Sequence, residues 1–174
     1  MQITAHEPYA LAKVAGLSDV WLPASGGRWI TKVAGEQTEG RLLQLVGSER
    51  RGAAPPLHIH CYADQTFFVI AGEVTIFLGD ERIEAGAGDF VLAPRGVAFT
   101  YLVRSDQAEF LVTFAPAGME GPSGIGLDGL FRQVGIPVVD DEAPPGPVAP
   151  DPEEFARTAA LYGCEIAGPP PSLD

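Results

Sequence analysis

His58 and His60 close the stretch Pro-Pro-Leu-His-Ile-His, and Gln65 follows five residues after the second of them. Strand side chains alternate between faces, so imidazoles at i and i+2 project together. Such a pair can hold a metal ion or, without one, move a proton near neutral pH. Gln65 adds a neutral amide. Its oxygen is a weaker metal donor than a carboxylate, it cannot serve as a base, and it can hydrogen-bond a carbonyl oxygen and stabilise an enolate. Phe67, Phe99 and Tyr101 fit a plain barrel core and equally an apolar wall for an aromatic or polyene guest. Tyr62 stands at a loop end, as a surface or lid residue. Asp64 falls on the opposite strand face from Gln65, and Cys61 points away from the histidines. Of Arg41 and Gln44, on opposite faces, only one can line a cavity. Trp21 and Trp29 read as core or interface, and Cys164, after a helix end, as structural.

The elements that position these residues are short strands. Residues 41–46, 66–70, 73–78, 82–85, 90–93, 98–103 and 109–114 are β-branched or aromatic runs about ten residues apart. Turn residues stand between them, at Ala71-Gly72, Gly79-Asp80, Gly88-Asp89 and Pro94-Arg95-Gly96. This pattern predicts an all-β sandwich or barrel. Farther on, Leu127, Leu130, Phe131 and Val134 are spaced as one face of a short helix. A Pro-rich linker spans residues 143–150. Asp151 then caps a second helix, with Pro152 at its first position, Glu154 in its first turn, an apolar face of Phe155, Ala159 and Tyr162, and Gly163 at its end. The Gly-Pro-Pro-Pro tail is expected to be extended. The chain divides into an N-terminal arm with strands (1–35), a barrel core (36–118) and a C-terminal part of helices, linker and tail (119–174), all within one domain.

Composition bounds the function. At 174 residues, 46% hydrophobic and 20% charged, the chain can bury a core of ordinary size. The 21 glycines and 16 prolines suit many turns. A net charge of −12 repels phosphate backbones and argues against nucleic acid. No apolar run reaches the length of a membrane span. The N-terminus lacks the basic start and apolar stretch of a signal peptide, and two cysteines make no disulfide framework, so a reduced, cytoplasmic protein is expected.

The spacing of these residues resembles the cupin superfamily. The first cupin motif runs His-x-His, three or four residues, Glu, six residues, Gly; His58, His60 and Gly72 match, and Gln65 stands at the Glu position. The second runs Gly, five residues, Pro-x-Gly, two residues, His; Gly88, Pro94 and Gly96 match, and Phe99 stands at the His position. The match covers roughly residues 40–115 and implies a jelly-roll β-barrel with one or two short C-terminal helices packed outside. Gly35-Glu36-Gln37-Thr38, Ala115-Pro116-Ala117-Gly118-Met119-Glu120 and Leu130-Phe131-Arg132 resemble bacterial quercetin 2,3-dioxygenases and related single-domain cupins. In that group three His and one Glu hold a divalent metal beside a planar aromatic substrate. Here two of the four donors are replaced, and the one other imidazole of the chain, His6, would have to reach in from the N-terminal arm.

The resemblance and the substitutions together predict a small-molecule enzyme that binds a hydrophobic, aromatic or polyketide-like substrate inside the barrel. It would work without metal, by cyclisation, isomerisation or proton transfer. His58, His60 and Gln65 are the expected catalytic residues, and Phe67, Phe99, Tyr101 and Tyr62 the expected substrate contacts. No cofactor is expected; His58 and His60 would support at most weak binding of a divalent metal (Fe, Ni, Mn, Co or Zn). The alternatives are a metal-dependent dioxygenase with a reduced His-His ligand set, and a non-catalytic carrier or sensor of a hydrophobic ligand. No nucleic-acid or membrane partner is expected. The resemblance implies a homodimer.

Overall fold

The computed structural model describes residues 7–139, 148 and 150–173. His6 and most of the Pro-rich linker lie outside the described residues. Two antiparallel sheets face each other. The larger has the order β11-β1-β2-β3-β10-β5-β8, formed by β1 (Ser18–Leu22), β2 (Gly27–Val33), β3 (Leu43–Arg50), β5 (Asp64–Ala71), β8 (Phe90–Ala93), β10 (Gln107–Ala115) and the two-residue β11 (Ile136–Pro137). The smaller has the order β12-β4-β9-β6-β7, formed by β4 (Leu57–His60), β6 (Glu73–Leu78), β7 (Glu81–Gly86), β9 (Phe99–Val103) and β12 (Cys164–Gly168). This is the expected jelly-roll arrangement.

Period-two patterning builds the interior. On β3, Leu43, Leu45, Gly47 and Glu49 face inward and alternate with more exposed residues. On β10 the inward set is Ala108, Phe110, Val112 and Phe114. Phe67, Phe110, Phe114, Leu43, Leu45 and Ile76 are among the fully buried side chains. Each such burial contributes roughly 1.5–3 kcal/mol. Gly72 turns β5 into β6 at φ +85°, where a Cβ would lie 2.2 Å from the Gln107 carbonyl oxygen, so the turn requires glycine.

Helix α1 (Asp128–Val134) and helix α2 (Pro152–Leu161) follow the expected spacing. The Asp151 carboxylate accepts from the Glu154 N–H at 2.8 Å, and Pro152 fills the first helical position. Both helices lie outside the sheets, and both also reach the barrel opening: Phe131 packs on Trp29 with ring centroids 5.2 Å apart. Residues 169–173, most of the proline tail, carry no helix or strand, and an unexpected strand precedes them. That segment, Cys164–Gly168, is an edge strand paired with the histidine strand β4, with Cys164 opposite His60. None of the described helices is long and apolar enough to cross a membrane.

Candidate functional site

A cavity of about 410 Å³ runs from the barrel interior to the two helices. Its walls are mostly apolar, with Leu22, Trp29, Val112, Phe114, Leu130 and Phe155 among them. The polar groups that reach it from the strands are few: His58, His60, Gln65, Tyr101 and Glu49.

The histidine end is built on β4. His58 and His60 face the same way, with ring centroids 4.9 Å apart. The His58 Nδ1 lies 2.8 Å from the Pro56 carbonyl oxygen, which only accepts, so Nδ1 carries the hydrogen and Nε2 keeps its lone pair. Burial lowers the His58 pKa to about 4 and holds His60 well below the usual imidazole range, helped by its neighbour His58. Both rings are therefore neutral at neutral pH, against the expectation of near-neutral titration. The Nδ1 of His60 is buried without a hydrogen-bond partner, while its backbone carbonyl accepts from the Gly96 N–H at 2.9 Å. Gln65, on β5, is buried and lines the cavity. Its neighbour Asp64 points outward to Arg95, whose hydrogen bonds lower the Asp64 carboxyl to about 2.

The three-His-one-Glu metal set implied by the resemblance does not fit these residues. Phe99, across the ladder from His58, places its ring 4.3 Å from that imidazole, where a third His would stand. Gln65 brings no charge. A different donor lies on the other flank of β4: possible ligand atoms of His58, His60 and Cys164 all fall within 4.8 Å of one another, and all three residues are buried. Its place after a helix end reads as structural in the sequence, and only the pairing of β12 with β4 brings Cys164 beside the histidines. Burial pushes its thiol up to about 12.

The second polar feature was not anticipated. Glu49 is 2% exposed. Its Oε1 accepts from Trp29 Nε1 at 2.7 Å, from the Ser25 hydroxyl at 3.0 Å and from the Tyr101 hydroxyl at 3.4 Å. Its Oε2 has no partner. Burial pushes the carboxyl up to about 7, and the three hydrogen bonds pull against that rise. Two strand glycines make the space. A Cβ on Gly27 would fall 2.0 Å from the carboxylate, and one on Gly47 would fall 2.7 Å from the Trp29 ring. Trp29 is thus a cavity residue as well as core. The alternation Leu43, Leu45, Gly47 was the signal that could have turned Glu49 inward, but the run Ser-Glu-Arg-Arg reads as a solvated turn.

The remaining expected contacts are divided. Tyr101 lines the cavity. Phe67 and Phe99 are fully buried, 6.0 Å apart edge to face, and form the packing behind it. Tyr62 is 38% exposed and lies against Gly163, where a Cβ would meet its ring at 2.5 Å, so it braces the α2–β12 turn from outside the cavity. Arg41 bonds the Thr38 carbonyl and Gln44 the Thr113 hydroxyl, so neither is a site residue. Cys61 is exposed, as expected.

Comparison with known proteins agrees with this architecture. Residues 49–115 match the family described as the Cupin domain. Quercetin 2,3-dioxygenase of Bacillus subtilis is 28% identical over 138 residues, which is 78% of this chain and 39% of that enzyme. The chain thus spans about two-fifths of the length of that relative. Among solved structures, the polyketide cyclase RemF from Streptomyces resistomycificus superposes with a TM-score of 0.54 at 17% identity, covering 63% of this chain and 80% of that one. An RmlC-like cupin from Shewanella frigidimarina gives 0.53 at 16% identity, covering 68% and 98%. At these identities the two structures speak for the fold alone. Residues 49–115 are thus similar to the Cupin domain, and the whole chain folds as one jelly-roll barrel.

Proposed function

We propose that this chain is a small-molecule enzyme that moves a proton on a hydrophobic, aromatic or polyketide-like substrate held inside the barrel, as an isomerase or cyclase. The observation that carries the reading is Glu49: a buried carboxyl with one free oxygen, seated in an apolar cavity by three donors and two glycines. A carboxyl held up to about 7 can both take and return a proton at neutral pH. Gln65 offers a donor to substrate oxygens. The cavity walls orient the guest and exclude water. The proton step assigned to Glu49 requires no metal. The wider proposal includes a homodimer, for which Phe68 and Ile70 on β5 and Phe90 and Leu92 on β8 supply an exposed apolar face.

A second reading, metal-dependent oxygenation of a flavonol, is favoured by the likeness to the Bacillus enzyme and the retained His58 and His60. One experiment separates the readings. Phenolic and polyketide-type aromatics, quercetin included, are incubated with the chain in D₂O. Exchange of substrate C–H is followed by NMR and oxygen by electrode. Exchange that Glu49→Gln abolishes supports the proton-transfer enzyme. Oxygen uptake with quercetin replaces it by the second reading, and tight binding without either makes the chain a carrier.

A further inference from the structure

We propose that His58, His60 and Cys164 form a metal site of a donor class different from that of the family: two imidazoles and one thiolate, suited to a thiophilic divalent cation such as zinc. This goes beyond the proton-transfer reading and does not rest on it.

The argument begins with the position of β4 between two neighbours. On one side β9 sets Phe99 opposite His58, and an apolar ring fills the place of an imidazole. On the other side β12 sets Cys164 opposite His60. One flank of β4 thus carries an apolar ring and the other a sulfur donor. The three possible ligand atoms lie within 4.8 Å of one another, close enough for small shifts to bring them onto one tetrahedral ion.

Two further observations point to a ligand. The His60 Nδ1 is buried without a partner, a state that costs stability and that a nearby cation relieves. The His58 ring is already oriented by its Nδ1–H bond to the Pro56 carbonyl, the outer-shell contact that metal-bound histidines characteristically make. The donor set then selects the ion. Imidazole with thiolate favours zinc, cobalt or copper over magnesium, calcium or manganese. Cys164 binds as thiolate, its proton passing to solvent. All three residues line the cavity, so the fourth position faces the guest.

The test uses the full chain purified without an affinity tag, stripped with a chelator and titrated with cobalt(II) alone. The expected result is one ion per chain with a near-ultraviolet thiolate-to-cobalt charge-transfer band. Cys164→Ala should lose the band, His60→Ala should lose binding, and Cys61→Ala should keep both. Absence of binding, binding without the band, or a band that survives in Cys164→Ala overturns the proposal. Should Cys164→Ala fail to fold, X-ray absorption of the zinc-loaded unaltered chain decides. One sulfur at about 2.3 Å beside nitrogens at about 2.0 Å supports the site, and absence of a sulfur shell ends it. None of these readouts uses turnover, so failure here leaves the Glu49 reading intact, and failure of that reading leaves this one intact.

Discussion

Under the proposed function Glu49 trades stability for reactivity. Raising a carboxyl from 4.5 to about 7 corresponds to ~3 kcal/mol. Between those two values the folded chain binds more protons than the unfolded one, so this contribution to stability falls as pH rises through the window and levels off above about 7. His58, lowered from 6.5 to about 4, acts with the opposite sign: its contribution is lost as pH falls through that range. The histidine slopes are common to the native chain and to Glu49→Gln, so they cancel in the difference of melting temperatures. That difference should grow in favour of Glu49→Gln from pH 4.5 to 7; a flat difference would mean that Glu49 ionises as an ordinary carboxyl. If the proposed proton transfer is right, the same variant at neutral pH should lose turnover by roughly 10²–10⁴ while ligand binding survives. Gly27→Ala should do similar damage indirectly, because its methyl collides with the carboxylate.

The elements explain what could and could not be read ahead of the coordinates. His58, His60 and Gln65 were legible because strand alternation is local and Gly72, Gly88 and Gly96 punctuate it. The α2 cap was legible for the same reason: Asp151, Pro152 and Glu154 act within one turn. Removing it by Asp151→Ala should cost about 1 kcal/mol, read as a lower melting temperature. Glu49 was hidden because its charged neighbours Arg50 and Arg51 outweigh the period of β3. β12 was hidden because five residues before a run of prolines carry no strand signature, and their pairing with β4 is a long-range event that no local pattern encodes. The ladder also makes an engineering forecast. Gln65→Glu with Phe99→His should raise affinity for divalent metal in titration calorimetry; unchanged affinity would mean that β5 and β9 do not present these positions to His58 and His60.

At the scale of the molecule, all three zones of the sequence meet in two sheets. β1 and β2 extend the sheet that contains β3, and β12 extends the one that contains β4. The outer side of β5 and β8 is left with Phe68 opposite Phe90, the latter 63% exposed, and with Ile70 and Leu92 nearby. Patches of this kind commonly mark interaction sites. Under the proposed homodimer with its contact on this face, the chain should sediment as a dimer and Phe90→Glu as a folded monomer; a monomeric native chain would overturn the dimer, and an unchanged dimer would place the contact elsewhere.

The docking of β12 beside β4 sets an order of assembly. While the chain emerges from the ribosome, strands β1 to β10 can pair before the segment bearing Cys164 exists. Until that segment arrives, one flank of the histidine strand stays bare and the chamber lacks a side. The chamber is thus walled on that side by a strand that follows the rest of the barrel in the chain.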